Sequence, residues 1–286
     1  MIKIFGITLN LHPLFVIVML MSILTGNFLE LITLFAIVLI HEMGHLSVAL
    51  LFRIKVVSLQ LLPFGGVVSI EDHGQLTAWK EIMIAVAGPL QNGIMMMIGM
   101  GFMLLGWGNS EYIAYIIHGN MIIALFNLLP IPPLDGGKIM QSLISRYFPY
   151  HWMLVWSLRV SIVASIGVIL FALLPLIMEK GVLQLNLLMI GVFLLYSNFV
   201  DYRNITYRFM RFLMNRGPLY ARYALNGTLV QPIVTDAAKH LDPILRLFKR
   251  EKYHLIYIVD EDGNIVAVLP EQKLISAYFS TKRRIL

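Results

Sequence analysis

Residues 28–52 read FLELITLFAIVLIHEMGHLSVALLF, an apolar run interrupted at its middle by His41-Glu42-Met43-Gly44-His45. A run of this length is what a helix needs to cross a bilayer. Three ionisable side chains inside such a crossing are costly in lipid, so they need partners and point to a functional site. On a helix His41 and His45 lie one turn apart on one face, where two imidazole nitrogens can converge on a single tetrahedral metal. Glu42 is rotated by about 100° from His41, within reach of a water beside the metal, and suits the base that takes a proton from that water as it attacks a carbonyl.

The whole chain agrees with a membrane location. Of its 286 residues 58% are hydrophobic and only 13% charged, and the mean hydropathy is +0.78, far from an ordinary soluble domain. Cysteine is absent, which excludes disulfides, thiolate metal sites and cysteine nucleophiles. Any metal must therefore use His and carboxylate. Six apolar stretches read as crossings: Leu11–Leu24, Phe28–Phe52, Ile82–Trp107, Tyr112–Leu129, Trp152–Met178 and Val182–Val200. The first is short, and Thr25-Gly26-Asn27 after it is a poor match to a signal-peptide cleavage site, so it is read as an uncleaved helix. Lys3, Arg53, Lys55, Lys80, Lys138, Arg146 and the tail fall on one side against Lys180 on the other, which makes both termini cytoplasmic.

A catalytic zinc takes three protein ligands and keeps one position open. The remaining candidates are Asp135, His118, His73, His151, Glu71, Asp72 and Glu111. Asp135 stands out because it closes Asn127-Leu-Leu-Pro130-Ile-Pro132-Pro133-Leu-Asp135-Gly136-Gly137, whose prolines break a helix and whose glycines allow close approach. Irregular backbone at membrane depth survives only where it is buried in protein or lines a cavity. His41 sits about eleven residues, roughly 16 Å, from the cytoplasmic end of its helix. Asp135 reaches that depth only if the chain unwinds after Asn127 and then turns back or resumes as a helix through Ile139 to Tyr147. His118 reads as a packing histidine, and His73 and His151 as loop residues. Two histidines and a carboxylate also suit iron, so zinc is the expectation among several divalent metals.

Residues 201–286 hold 14 Lys or Arg against 8 Asp or Glu, whereas residues 1–200 hold 8 of each. Ile205, Phe209, Phe212 and Leu213 recur at helical spacing between arginines, the pattern of an amphipathic basic linker at the bilayer surface. A short strand from Leu229, a helix capped at Thr235-Asp236 and reaching Phe248, a strand at Leu255–Val259, a turn at Asp262-Gly263-Asn264, a strand at Ile265–Leu269 and a last helix from Pro270-Glu271 follow.

The pairing of His41-Glu42-x-x-His45 in a crossing with Asn127-x-x-Pro130-x-Pro132-x-x-Asp135-Gly136 downstream resembles the site-2 protease family. Leu61-Leu62-Pro63-Phe64-Gly65-Gly66 and Ala87-Gly88-Pro89 add to the likeness, which covers roughly residues 10–150. Six crossings with a cytoplasmic C-terminal domain look most like the sporulation intramembrane metalloproteases of spore-forming bacteria. The resemblance implies an intramembrane zinc endopeptidase with His41, His45 and Asp135 as ligands, Glu42 as base, and Asn127 as a substrate or oxyanion contact. It further implies a membrane-tethered substrate, the precursor of a sporulation sigma factor, and membrane partner proteins that hold the enzyme inactive. The run Phe64-Gly65-Gly66-Val67-Val68-Ser69-Ile70 reads as a turn and a β-like edge on which an extended substrate can pair, with Gly65, Gly66 and Pro132 as substrate-binding positions. The tail's strand-helix-strand-strand-helix order resembles a single cystathionine-β-synthase-type (CBS) domain. Such modules work in pairs that often bind adenine nucleotides, so the resemblance implies an adenine nucleotide and, with one copy here, either a homo-oligomer or docking of the domain onto substrate; direct nucleic-acid binding is not expected.

The expectation is an all-α polytopic membrane protein of six transmembrane helices with a small C-terminal α/β CBS-like domain. Its parts are a metalloprotease domain at 1–200, an amphipathic linker at 201–216 and the CBS-like domain at 217–286. The alternative is a metal-ion transporter or channel using the intramembrane His and Asp cluster. It is weakened by the lack of internal repeats and by a base beside two ligands that transport would leave without a task.

Overall fold

Helix α1 (Phe28–Leu51) covers the decisive run from end to end. The computed structural model describes residues 2–4, 7–11, 28–54, 56–62, 65–70, 76–178, 184–217 and 230–283. Beyond α1 the helices of the apolar part are α2 (Ala78–Leu104), α3 (Ser110–Asn127), α4 (Asp135–Tyr147), α5 (Tyr150–Ile177) and α6 (Leu185–Arg203). Among the described residues α1, α2, α5 and α6 are the four long and apolar enough to cross a membrane. Large apolar side chains such as Met97, Leu104, Val163 and Phe171 stay exposed on them, as lipid-facing surfaces require. Helix α3, 18 residues long, coincides with the fourth expected crossing but is not one of these four. Of the first expected crossing, Leu11 ends a strand and the rest lies outside the described residues.

Local chemistry sets the breaks. Asn109 accepts from the backbone of Glu111 and Tyr112 at 2.9 and 3.2 Å to start α3, an N-cap that satisfies two amides the helix cannot. The positive φ angles of Gly106 and Gly108, +68° and +81°, turn the chain just before it. After Asn127 the helix stops and the proline segment runs to α4, so the chain does unwind and resume as a helix that begins at Asp135.

Strands β1 (Ile2–Ile4), β2 (Ile7–Leu11), β3 (Val56–Leu62) and β4 (Gly65–Ile70) form one sheet in that order, parallel only between β2 and β3. The expectation of an all-α body at 1–200 is corrected here. Segments such as Ile7-Thr-Leu-Asn-Leu11 alternate apolar and polar residues with period two and are too short to cross lipid, so their backbones pair with one another. Strand β4 coincides with the β-like run after Phe64 and occupies the sheet's edge.

Helix α7 (Ile205–Met214) follows α6 directly, and the tail adds β5 (Gln231–Asp236), α8 (Leu241–Leu245), β6 (His254–Val259), β7 (Ile265–Pro270) and α9 (Glu271–Arg283). Its sheet runs β5-β6-β7, parallel then antiparallel. The helix expected from Thr235 is a correction: β5 continues through Asp236, whose carboxylate accepts from Ala238 N at 3.1 Å in a tight turn. Only the short α8 follows, with Pro243 tolerated in its first turn. The apolar face of α7 is also used differently from its expected role at the bilayer surface. Phe209 and Leu213 enter the tail's core with Ile233, Ile244, Leu245, Phe248, Ile256 and Leu274.

That core is closed by a buried ionic knot. Arg216 is 1% exposed and Glu271 fully buried; the guanidinium donates to both carboxylate oxygens, at 3.0 and 2.8 Å, and to the carbonyls of Lys249 and Lys252. His254 accepts from Lys249 N through Nε2 and faces Glu271 through Nδ1 at 3.1 Å. Burial, with the Arg216 charge beside it, holds His254 below its ordinary value despite the hydrogen bond to Glu271. Burial alone would raise the Glu271 carboxyl, but His254 and Arg216 outweigh it and hold the carboxyl below its usual range.

Removing one partner of such a pair leaves a buried charge, so Arg216→Ala is expected to destabilise the tail by about 3–5 kcal/mol, read by hydrogen exchange at β6. Both pKa values are lower folded than unfolded, so the unfolded tail takes up protons first. Stability should fall as pH drops below the unfolded His value of 6.5, and again as Glu271 protonates below its unfolded 4.5. Protease resistance of the tail measured from pH 8 to pH 4 checks the sign.

Candidate metal centre

His41, Glu42 and His45 are all buried, and one potential ligand atom from each lies within 4.8 Å of the others. Asp135, at the first turn of α4 and 3% exposed, completes the group. Its Oδ2 is 3.2 Å from His41 Nε2 and 2.9 Å from His45 Nε2, and the two Nε2 atoms are 3.2 Å apart. Ligands about 2.0–2.1 Å from a tetrahedral zinc are separated by about 3.3 Å. The three atoms form a triangle of that size.

The hydrogen bonds behind the histidines decide what the triangle holds. The Ile116 carbonyl can only accept, and Asn120 Nδ2 donates to it at 2.9 Å. Asn120 Oδ1 therefore accepts, from Asn92 Nδ2 at 2.9 Å. Asn92 Oδ1 is then left to accept from His41 Nδ1 at 2.5 Å. On the other ring, His45 Nδ1 donates to the Ile84 carbonyl at 2.7 Å. Both imidazoles carry their proton on Nδ1, and both Nε2 lone pairs point at each other and at a carboxylate. Three acceptors facing one another in a water-poor interior repel unless a cation lies between them, and these residues fit a divalent metal. Orientation of metal-binding imidazoles by partners on the far nitrogen is how such sites fix ring and tautomer.

Packing places the triangle. A Cβ on Gly44 of α1 would lie 2.6 Å from the Ala87 carbonyl, and one on Gly88 of α2 would lie 2.4 Å from His45 Nε2. The two glycines let α1 and α2 touch backbone to backbone, as small residues do between membrane helices. On α4 a Cβ at Gly136 would meet the Leu128 carbonyl at 2.1 Å, and at Gly137 Pro132 N at 2.2 Å. The tandem glycines thus let the proline segment fold over the start of α4 and carry Asp135 to the histidines. Lys138 Nζ, half exposed, holds the other Asp135 oxygen at 3.0 Å.

The remaining expected positions are distributed around this centre. Asn127 ends α3 and donates to the Ile123 carbonyl at 3.0 Å. Pro132 is buried, and its carbonyl accepts from Asn198 of α6 at 2.6 Å. Gly65 and Gly66 open the edge strand β4. His118 and Glu111 are exposed on α3, and His151 stacks edge-on against Phe209 of α7; Glu71, Asp72 and His73 lie outside the described residues. Sequence reasoning missed Asn92, Asn120 and Asn198, all buried within helices. The signal was there: a neutral amide in an apolar helix needs a partner as an ionisable group does, and Asn92 lies one turn beyond Gly88.

A family model described as peptidase family M50 matches residues 29–108 and 103–174. Stage IV sporulation protein FB of Bacillus subtilis is 32% identical over 288 residues, covering 96% of this chain and 92% of that protein. A zinc metalloprotease of Methanocaldococcus jannaschii is 30% identical over 66% of this chain and 56% of its own length. Among solved structures, the site-2 protease from Methanocaldococcus jannaschii superposes with a TM-score of 0.56 at 25% identity, covering 71% of this chain and 94% of that one.

Asn92→Leu should weaken metal binding by about 10–100-fold, since it frees His41 to change tautomer. Gly88→Ala should abolish binding by driving a methyl group into the His45 ring. Metal content after dialysis against a graded chelator series reads both.

Proposed function

The chain belongs to peptidase family M50 and is a zinc metalloprotease of the site-2 type, and on that premise we propose that His41, His45 and Asp135 hold the zinc while Glu42 is the base. The observation that carries this reading is the convergence of three acceptor atoms, with no donor among them, at distances that suit one tetrahedral metal. Zinc, when bound, supplies a Lewis acid that polarises the scissile carbonyl and makes water more acidic. Glu42, buried beside the histidines, takes a proton from the attacking water as the new C–O bond forms. The same carboxyl returns the proton to the amine as the C–N bond breaks. Asn127 contacts the substrate carbonyl or the developing oxyanion. An extended substrate segment pairs with edge strand β4 at Gly65 and Gly66, its far wall being the Pro132 segment anchored by Asn198.

The protein acts on a membrane-tethered protein in the bilayer. Likeness to a sporulation protein across nearly the whole chain supports the precursor of a sporulation sigma factor as that substrate, and membrane partner proteins as its inhibitors. Six crossings, the first over 11–24, leave both termini cytoplasmic. The chain divides into a transmembrane metalloprotease domain at 1–200, a linker at 201–216 and a CBS-like domain at 217–286. The β-α-β-β-α order of that tail supports the CBS-like reading, with an adenine nucleotide as its ligand and a homo-oligomer as the way a single module is paired.

In cells producing a membrane-tethered sigma-factor precursor, the native protein should cleave it and Glu42→Gln should cleave about 10²–10⁴-fold more slowly with zinc retained. Equal cleavage by both forms would remove Glu42 from the mechanism. Asp135→Asn should lose zinc as well as activity. Gly66→Val should impair cleavage with zinc unchanged, and unimpaired cleavage would contradict the β4 edge as the substrate platform.

A further inference from the structure

The strip Phe248–Lys252, between α8 and β6, joins the tail to the helices that build the metal centre. Tyr150 N, the first residue of α5, donates to the Phe248 carbonyl at 2.9 Å. Glu251 Oε1 accepts from Ala78 N, the first amide of α2, so the tail supplies an acidic cap at that helix's positive end. Arg250 donates to Glu81 on the first turn of α2 and to the Leu76 carbonyl at 3.1 Å. The same Glu81 oxygen accepts from Ser142 Oγ of α4 at 2.7 Å. Ser142 is 1% exposed and Ala78 2% exposed, so these contacts are packed joints.

One carboxylate therefore ties together the tail, α2 and α4, and these two helices carry the outer parts of the metal centre. Ile84, whose carbonyl orients His45, lies one turn beyond Glu81; Asn92, which orients His41, follows on the same helix; Asp135 lies two turns before Ser142. From the far side the strip is gripped by the buried knot, since Arg216 binds the carbonyls of Lys249 and Lys252 and His254 binds Lys249 N.

We infer that Arg250 and Glu251 are positioning residues for the metal centre. They hold α2 and α4 at the separation at which Asp135 and the two oriented histidines meet, so displacement of the tail strip loosens the zinc site. The inference rests on the assignment of His41, His45 and Asp135 as ligands.

The test uses the full chain in detergent micelles, with zinc alone as probe. Zinc loss to a chelator is timed, and the visible spectrum of the cobalt-substituted protein reports ligand geometry. Arg250→Ala and Glu251→Ala should each speed zinc loss by about tenfold and weaken the tetrahedral cobalt bands. Arg250→Lys, which keeps the charge on Glu81, should recover most of both. Arg246→Ala, which breaks an exposed pair with Asp242 in the same tail, should match the native protein. Native zinc retention and cobalt spectra in Arg250→Ala and Glu251→Ala would overturn the inference. If proteolysis shows that Arg250→Ala unfolds the tail, Glu251→Ala decides by the same criteria. His45→Ala separates the two layers: a variant that holds zinc like the native protein refutes the ligand assignment itself, whatever Arg250 does.

Discussion

Two imidazole lone pairs and a carboxylate aimed at one point, inside helices that lie in lipid, repel one another unless a cation sits between them. Much of the membrane part is arranged around that constraint. The Asn92–Asn120 chain ends on a backbone carbonyl and removes any freedom in the His41 tautomer, and the Ile84 carbonyl does the same for His45. Gly44 and Gly88 bring α1 and α2 into backbone contact, while Gly136 and Gly137 let an irregular segment deliver Asp135. In each case backbone approaches where a side chain would block it. The result is a rigid set of acceptors that needs little reorganisation to bind a metal, the preorganisation on which electrostatic catalysis depends.

The convergence of His41 and His45 was legible in the sequence because ionisable residues in an apolar helix are rare and i, i+4 spacing puts two side chains on one face. Asp135 was legible for a related reason: its proline- and glycine-rich setting makes no sense in a membrane except at a protein-lined site. The resumption of helix from Asp135, required by the depth of His41, is what the structure contains. The amides were not legible in this way. Asn92, Asn120 and Asn198 carry no charge, and their partners come from other helices or from carbonyls that no sequence pattern displays. The N-terminal sheet was hidden because β1 and β2 are too short for composition to mark, and the pairing of β2 with β3 is made across α1. In the tail, strand and turn positions followed from alternation and from Asp262-Gly263-Asn264. The helix expected at Thr235 failed because Asp236 makes its turn from the end of a strand rather than from a helix cap.

The tail is more than an appendage. Four arginines between apolar residues read as a bilayer-surface helix, yet Phe209 and Leu213 pack into the tail's core and Arg216 is its most deeply buried cation. A guanidinium beside a carboxylate, with Phe212 and Phe248 against it at 5.1 and 5.3 Å, is tolerated there because nearly every donor has an acceptor. That knot grips the strip that touches α2 and α5 and reaches α4 through Glu81, so the buried ionic knot lies behind the membrane helices that carry the candidate metal centre.

X-ray absorption at the zinc edge of the purified full chain tests the central claim most directly. The account predicts two imidazole nitrogens and one carboxylate oxygen at about 2.0–2.2 Å in the native protein, with the zinc signal lost in Asp135→Asn. A spectrum without imidazole scattering, or one left unchanged by Asp135→Asn, would contradict it.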